Sequence, residues 1–126
     1  MPKTVPNRPG LEPGPYPFSQ VVEANGFVFL AGQVGAIDGT PGAVPGGIGP
    51  ETRAMLDNVG RLLGVVGLDF GDVVRCTVYL RDFDDFAAMN TVYREYFPTE
   101  PPTRATVGVT ALAADFRVEI EVLAAR

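Results

Sequence analysis

The chain has 126 residues, 46% of them apolar and 20% charged, which suits one globular domain with a real core and speaks against wholesale disorder. Ten Lys and Arg against fifteen Asp and Glu leave a net charge of −5 and a pI near 4.6, the wrong balance for a nucleic-acid binder that depends on clustered cations. With no histidine and a single cysteine, Cys76, a Ser-His-Asp triad, a zinc site ligated by histidines or by four cysteines, an intramolecular disulfide and a CxxC redox pair are all excluded.

Residues 1–17 contain Pro2, Pro6, Pro9, Pro13, Pro15 and Pro17. They read as an extended lead-in that neither a helix nor a central strand accepts, ahead of a single domain over residues 18–126. Phe18 to Ile37 reads as two strands joined by Asn25-Gly26, a favoured two-residue hairpin turn. The second strand, Phe27 to Ala31, is apolar at every position, as when both faces are covered. Gly35 to Pro50, with six glycines and three prolines, reads as a flexible surface loop.

Pro50 to Val66 is the clearest helix. Met55, Leu56, Val59, Leu62, Leu63 and Val66 form one apolar stripe, Pro50 suits the first helical position and Gly67 the left-handed cap. Val73 to Leu80 alternates as a strand, with Val74, Cys76, Val78 and Leu80 on one face. Cys76 in that phase reads as a buried structural thiol. Asp82 or Asp84 can cap a second helix running to about Phe97, with Phe86, Met89, Tyr93 and Phe97 facing inward. Pro98, Pro101 and Pro102 end it, and two strands follow, Arg104–Thr110 and Phe116 to about Ala124.

The order β-β-α-β-α-β-β predicts an α+β fold with both helices on one side of a sheet. Several strands carry apolar groups on both faces, yet two helices cover only one. The second face therefore predicts burial against other copies of the chain, a homo-oligomer. No apolar run approaches the ~20 residues that span a bilayer, and the proline-rich start has no signal-peptide core. With one thiol, this reads as a cytoplasmic protein without a membrane or nucleic-acid partner.

Without histidine, acid–base chemistry falls to carboxylates, tyrosines, lysines, backbone or water. Arg104 opens a strand just after a proline turn, where a permanently charged guanidinium either grips a carboxylate with two parallel hydrogen bonds or stands in solvent or an ion pair. Glu119 and Glu121 share one face of the last strand, which could pair with the Arg104 strand. A carboxylate there either orients and deprotonates a water or forms ion pairs with Arg117 or Arg104.

The segments Pro17-Phe18-Ser19-Gln20, Ala31-Gly32-Gln33-Val34, Asp57-Asn58-Val59, Asp72 to Leu80, Phe86-Ala87-Ala88-Met89-Asn90, Pro101-Pro102-Thr103-Arg104 and Val118-Glu119-Ile120-Glu121 together resemble the RidA (YjgF/YER057c/UK114) family of enamine/imine deaminases. The resemblance runs from about residue 14 to the C-terminus. It implies a chorismate-mutase-like fold, a homotrimer with ligand sites in the clefts between subunits, and hydrolysis of 2-aminoacrylate-like enamines and imines to 2-keto acids and ammonia without metal or cofactor. By the same resemblance Arg104 binds the substrate carboxylate and Glu119 places and activates the attacking water. Thr106 stands where the family often has cysteine, and Asn90 and Gly32 line or shape the pocket.

One stretch departs from the family's Gly-Pro-Tyr-Ser-Gln. If Ser19-Gln20 sets the register, Phe18 replaces the pocket tyrosine; if Gly14-Pro15 does, Tyr16 is that tyrosine, with two residues inserted after it. Strand register is harder to shift than a loop, which favours Phe18. Two readings stand beside the deaminase: a trimeric protein that binds small carboxylates without turnover, and a pathway deaminase of aminomuconate type. Ribonuclease activity, a label attached to this family, is disfavoured by the acidic balance and the absence of histidine.

Overall fold

Asn25 and Gly26 take φ values of 53° and 82°, the two left-handed residues of a tight hairpin turn, and join strands β1 (Val21–Ala24) and β2 (Phe27–Val34). The computed structural model describes residues 2–37 and 39–126. Met1 of the lead-in and Asp38 of the Gly/Pro loop lie outside the described residues. After the hairpin come α1 (Ile48–Val65), β3 (Val73–Leu80), α2 (Phe86–Tyr96), β4 (Thr103–Gly108) and β5 (Val118–Ala125). The sheet order is β1-β2-β5-β3-β4. The pair β3–β4 is parallel, bridged by α2, and the other pairs are antiparallel.

The apolar stripes meet on one side of the sheet. Met55, Leu56, Val59, Leu62 and Leu63 of α1 and Met89 and Tyr93 of α2 pack on Val28, Leu30, Cys76, Val78, Leu80, Val118, Ile120 and Val122. Each buried aliphatic side chain there contributes ~2 kcal/mol. Helix α1 ends as its sequence dictates: Gly67 at φ 78° lets the Leu68 N–H reach the Leu63 carbonyl and the Gly67 N–H the Gly64 carbonyl, the paired closure of a glycine-capped helix. Its start differs from expectation. Gly47 is the N-cap and Ile48 the first helical residue, so Pro50 sits third, still in the turn whose N–H groups lack an intrahelical acceptor. Neither Asp82 nor Asp84 caps α2 itself, whose N-cap is Asp85 without a side-chain hydrogen bond; Asp82 instead caps the 3-10 turn that runs into the helix, accepting the Asp84 N–H at 2.9 Å.

Two strand expectations need correction. Val74 does not share the buried face of β3: it is 41% exposed, and Val73 is buried instead. A register shift between Val73 and Arg75, opposite Ala124 and Leu123, inserts one residue and changes the phase. Nor does β5 pair with β4, since β3 lies between them.

The far face of the sheet has no covering layer among the described residues. Phe27 and Phe29 of β2 and Val107 of β4 stand exposed on it, opposite Ala125, Leu123 and Tyr79 in the ladders. Along β1's outer edge, Thr4 of the lead-in makes a two-hydrogen-bond bridge with Glu23.

Candidate active site

Arg104 lies on the edge strand β4, paired with Cys76 in the parallel ladder. Cys76 is fully buried under the helices, so Arg104 points to the helix-covered face. Its guanidinium carbon stands 4.6 Å from the Tyr93 ring centre and 5.7 Å from that of Phe86, cation–π distances on two rings of α2. Asn90, four residues after Phe86 and three before Tyr93, belongs to the same helix stripe. Thr106 follows Arg104 on the same face, opposite Val78, with its hydroxyl buried and without a hydrogen-bond partner. Burial pushes the Cys76 thiol and the Tyr93 hydroxyl upward in pKa, so both stay protonated.

No ion pair among the described residues occupies Arg104. Among the described residues the ion pairs are Arg53–Glu95, Arg117–Asp85 and Arg126–Glu23, and none uses Arg104, Glu119 or Glu121. A half-buried guanidinium flanked by aromatic rings keeps its planar fork of N–H donors available.

Glu119 lies on β5 between Val34 of β2 and Tyr79 of β3, on the face away from the helices. A register shift in β2 between Leu30 and Gln33 sets Gly32 against it, where a Cβ would overlap the Glu119 carboxylate. A side chain at position 32 would therefore displace the Glu119 carboxylate from this place. Burial, with a smaller contribution from the Glu121 charge, pushes the Glu119 carboxyl above its ordinary pKa. Glu121 itself accepts the Tyr79 hydroxyl at 3.0 Å, which leaves Glu119 as the unengaged carboxylate of the pair. Tyr16, Phe18 and Gly32 line one cleft of about 210 Å³ with Gln20 and Gln33. Both residues that could stand for the family's tyrosine thus share one wall, each more than half exposed.

The expected site residues fall into two groups, Arg104, Thr106 and Asn90 on the helix side and Glu119, Gly32, Tyr16 and Phe18 on the open side. Within one chain they do not meet. Phe86 and Tyr93 were legible only as core positions. Their part in holding Arg104 appears once α2 is laid beside β4, although an aromatic–Asn–aromatic stripe (86, 90, 93) is a signal the sequence carries.

Residues 12–126 match the family model described as Endoribonuclease L-PSP. The chain belongs to this family, the RidA (YjgF/YER057c/UK114) family. It is 43% identical over 108 residues to a RutC family protein of Pyrococcus horikoshii, covering 86% of each. It is 42% identical over 108 residues to the 2-iminobutanoate/2-iminopropanoate deaminase of Capra hircus, covering 86% of this chain and 79% of the relative. The fold is similar to that of Escherichia coli TdcF, solved with bound serine, at a TM-score of 0.83 and 32% identity over 92% of this chain and 97% of that one. RidA-family relatives at about 40% identity are thus named as imine deaminases, and the sheet and two helices described above are the fold of the family. No helix among the described residues is long and apolar enough to cross a membrane.

Proposed function

We propose that this protein hydrolyses 2-aminoacrylate-like enamines and imines to 2-keto acids and ammonia, in clefts between the subunits of a homotrimer. The observation that carries this reading is Arg104, a half-buried guanidinium fixed by two aromatic rings and, among the described residues, ion-paired with no carboxylate. Such a group selects a small carboxylate. Since Glu119 lies on the opposite face of the sheet, one ligand can touch both only where two subunits meet. The exposed Phe27, Phe29 and Val107 supply an apolar surface for that assembly.

In the proposed cleft Arg104 holds the substrate carboxylate, and Asn90 and the backbone around Thr106 line the pocket. The enamine tautomerises to the imine, whose C=N carbon is electrophilic. Glu119 of a neighbouring subunit takes a proton from water as its oxygen bonds to that carbon. Glu119 returns that proton to nitrogen, giving the neutral carbinolamine, and then takes the carbinolamine hydroxyl proton and passes it to the same nitrogen as the C–N bond breaks, so ammonia leaves and the C=O forms. One water enters and one ammonia departs, with no change in oxidation state. A carboxyl with a raised pKa is suited to taking a proton and returning it, and holding substrate and water together supplies most of the advantage. Tyr16, Phe18 and Gly32 form the wall beside Glu119, where the departure from the family's tyrosine sets substrate preference. The buried, unbridged Cys76 suits a reducing compartment, and we place the reaction in the cytoplasm.

The test is keto-acid release from imine made in situ by a serine or threonine dehydratase, with semicarbazide competing for the imine. Acceleration by wild type and none by Arg104→Ala supports the reading. An assembled wild type that accelerates nothing, yet binds 2-keto acids saturably, overturns it in favour of a carboxylate-binding protein.

A further inference from the structure

We propose that Glu51 is a positioning residue for Glu119, holding from α1 the strand start that aims the Glu119 carboxylate. The inference rests on the reading of Glu119 as the proton-handling group.

Glu51 stands in the first turn of α1 and is 1% exposed. Its Oε2 accepts the Arg117 N–H at 2.6 Å and the Val118 N–H at 3.2 Å, the two residues directly before Glu119. The Arg117 carbonyl accepts the Arg81 N–H at 3.0 Å, and its guanidinium stands 4.0 Å from Asp85, at the entrance to α2. The Arg117 backbone, two residues from Glu119, is therefore held at both its N–H and its carbonyl.

The other neighbour of Glu119 is held from the same helix. Val34 pairs with Glu119 across the β2–β5 ladder. Its carbonyl and that of Ala36 accept both N–H groups of Asn58 on α1, at 2.9 and 2.8 Å. Between them Gly35 lies so close to Glu51 that a Cβ would overlap the Glu51 backbone oxygen and Cγ. Helix α1 thus grips the exit of β2 through Asn58 and the entry of β5 through Glu51, the two strand segments that flank the Glu119 carboxylate.

A buried carboxylate is costly, and what these amides need is an acceptor oxygen at the right reach, not a charge. Glutamine offers that oxygen. Aspartate withdraws it by one methylene, and leucine removes it. The proposal therefore separates three side chains of similar burial by whether they keep an acceptor on the Arg117 and Val118 amides that lead into Glu119.

The experiment is steady-state imine hydrolysis by the assembled wild type, Glu51→Gln, Glu51→Asp and Glu51→Leu, well below each melting temperature, with Glu119→Gln as control. Glu51→Gln is expected within about 2-fold of wild type in kcat and KM. Glu51→Asp and Glu51→Leu are expected to lower kcat at least about 10-fold with KM changed less than about 3-fold. Wild-type kcat in Glu51→Asp, equal losses in Gln and Leu, or a loss carried mainly by KM each overturn the proposal. Where Glu51→Leu or Glu51→Asp fails to fold, amide exchange decides: Arg117 and Val118 N–H groups of wild type exchange as slowly as core amides, and exchange at the free rate overturns it. If Glu119→Gln is as active as wild type, the failure belongs to the underlying assignment of Glu119.

Discussion

Arg104 and Glu119 occupy opposite faces of one sheet, separated by β3: Arg104 pairs with the buried Cys76 and Glu119 with Tyr79, on alternate sides of the same strand. A pleated strand sends successive side chains to opposite faces, so no rotamer brings the two together within a chain. On the proposed function, a small ligand that touches both is bound between chains of the proposed trimer.

That geometry predicts complementation. Trimers of Arg104→Ala alone and of Glu119→Gln alone should be inactive. In trimers reassembled from an equal mixture, a cleft with both wild-type groups forms with a chance of one half times one half, so about a quarter of wild-type activity returns. Mixed and refolded protein with no recovered activity would show that both groups act from one chain or that one of them does not act.

Gly32→Ala places a methyl group where the Glu119 carboxylate lies. The backbone there accepts alanine, because Gly32 has no left-handed φ. The expected result is a fold retained, with Tm within a few degrees, and kcat lowered about 10- to 100-fold by displacement of the carboxylate. Calorimetry and kinetics on the same preparation check both halves, and unchanged kcat would remove Glu119 from the reaction.

Tyr93 and Phe86 hold Arg104 through their rings. Tyr93→Leu removes the closer one, worth about 1 kcal/mol and so a roughly 5-fold rise in the KM for the imine, in addition to some loss of stability. The Tyr93 hydroxyl lies beside the Cys76 thiol without a regular hydrogen bond. Tyr93→Phe therefore changes unfolding free energy by less than about 1 kcal/mol, read by urea denaturation.

Glu51 also makes stability depend on pH. Burial is the largest influence on its carboxyl and raises it from its ordinary 4.5; the Arg117 and Val118 amides and the Arg117 charge pull it back, and Asp115 adds a smaller upward push. A carboxyl raised by folding contributes its stability below its unfolded pKa and loses it as pH climbs through the folded value. Glu51→Gln cannot ionise, so its Tm should gain on wild type by at least about 2 °C between pH 4.5 and pH 8. Parallel curves across that range would show that Glu51 is as well stabilised ionised as neutral.

The elements and their order were written in the chain. Asn25-Gly26, the stripe from Met55 to Val66, Gly67, and the prolines after Phe97 each act through local φ/ψ limits or a 3.6-residue period, which neighbours along the chain suffice to express. The motif residues Arg104 and Glu119 were legible for the same reason, as residue types in a recognisable local run. Strand partnership was not: β5 enters between β2 and β3, a choice made by sheet packing between segments far apart in sequence. Nor was phase secure through a bulge, where one inserted residue at Val74 moved Val73 inward. Strand partnership decided what the motifs meant, because it set β3 between the Arg104 and Glu119 strands, while α2 laid beside β4 put Arg104 against Phe86 and Tyr93. The sequence by itself determined which groups exist and which local structures carry them; only the tertiary structure decided which face each one serves, since a face belongs to the whole sheet and not to any strand alone.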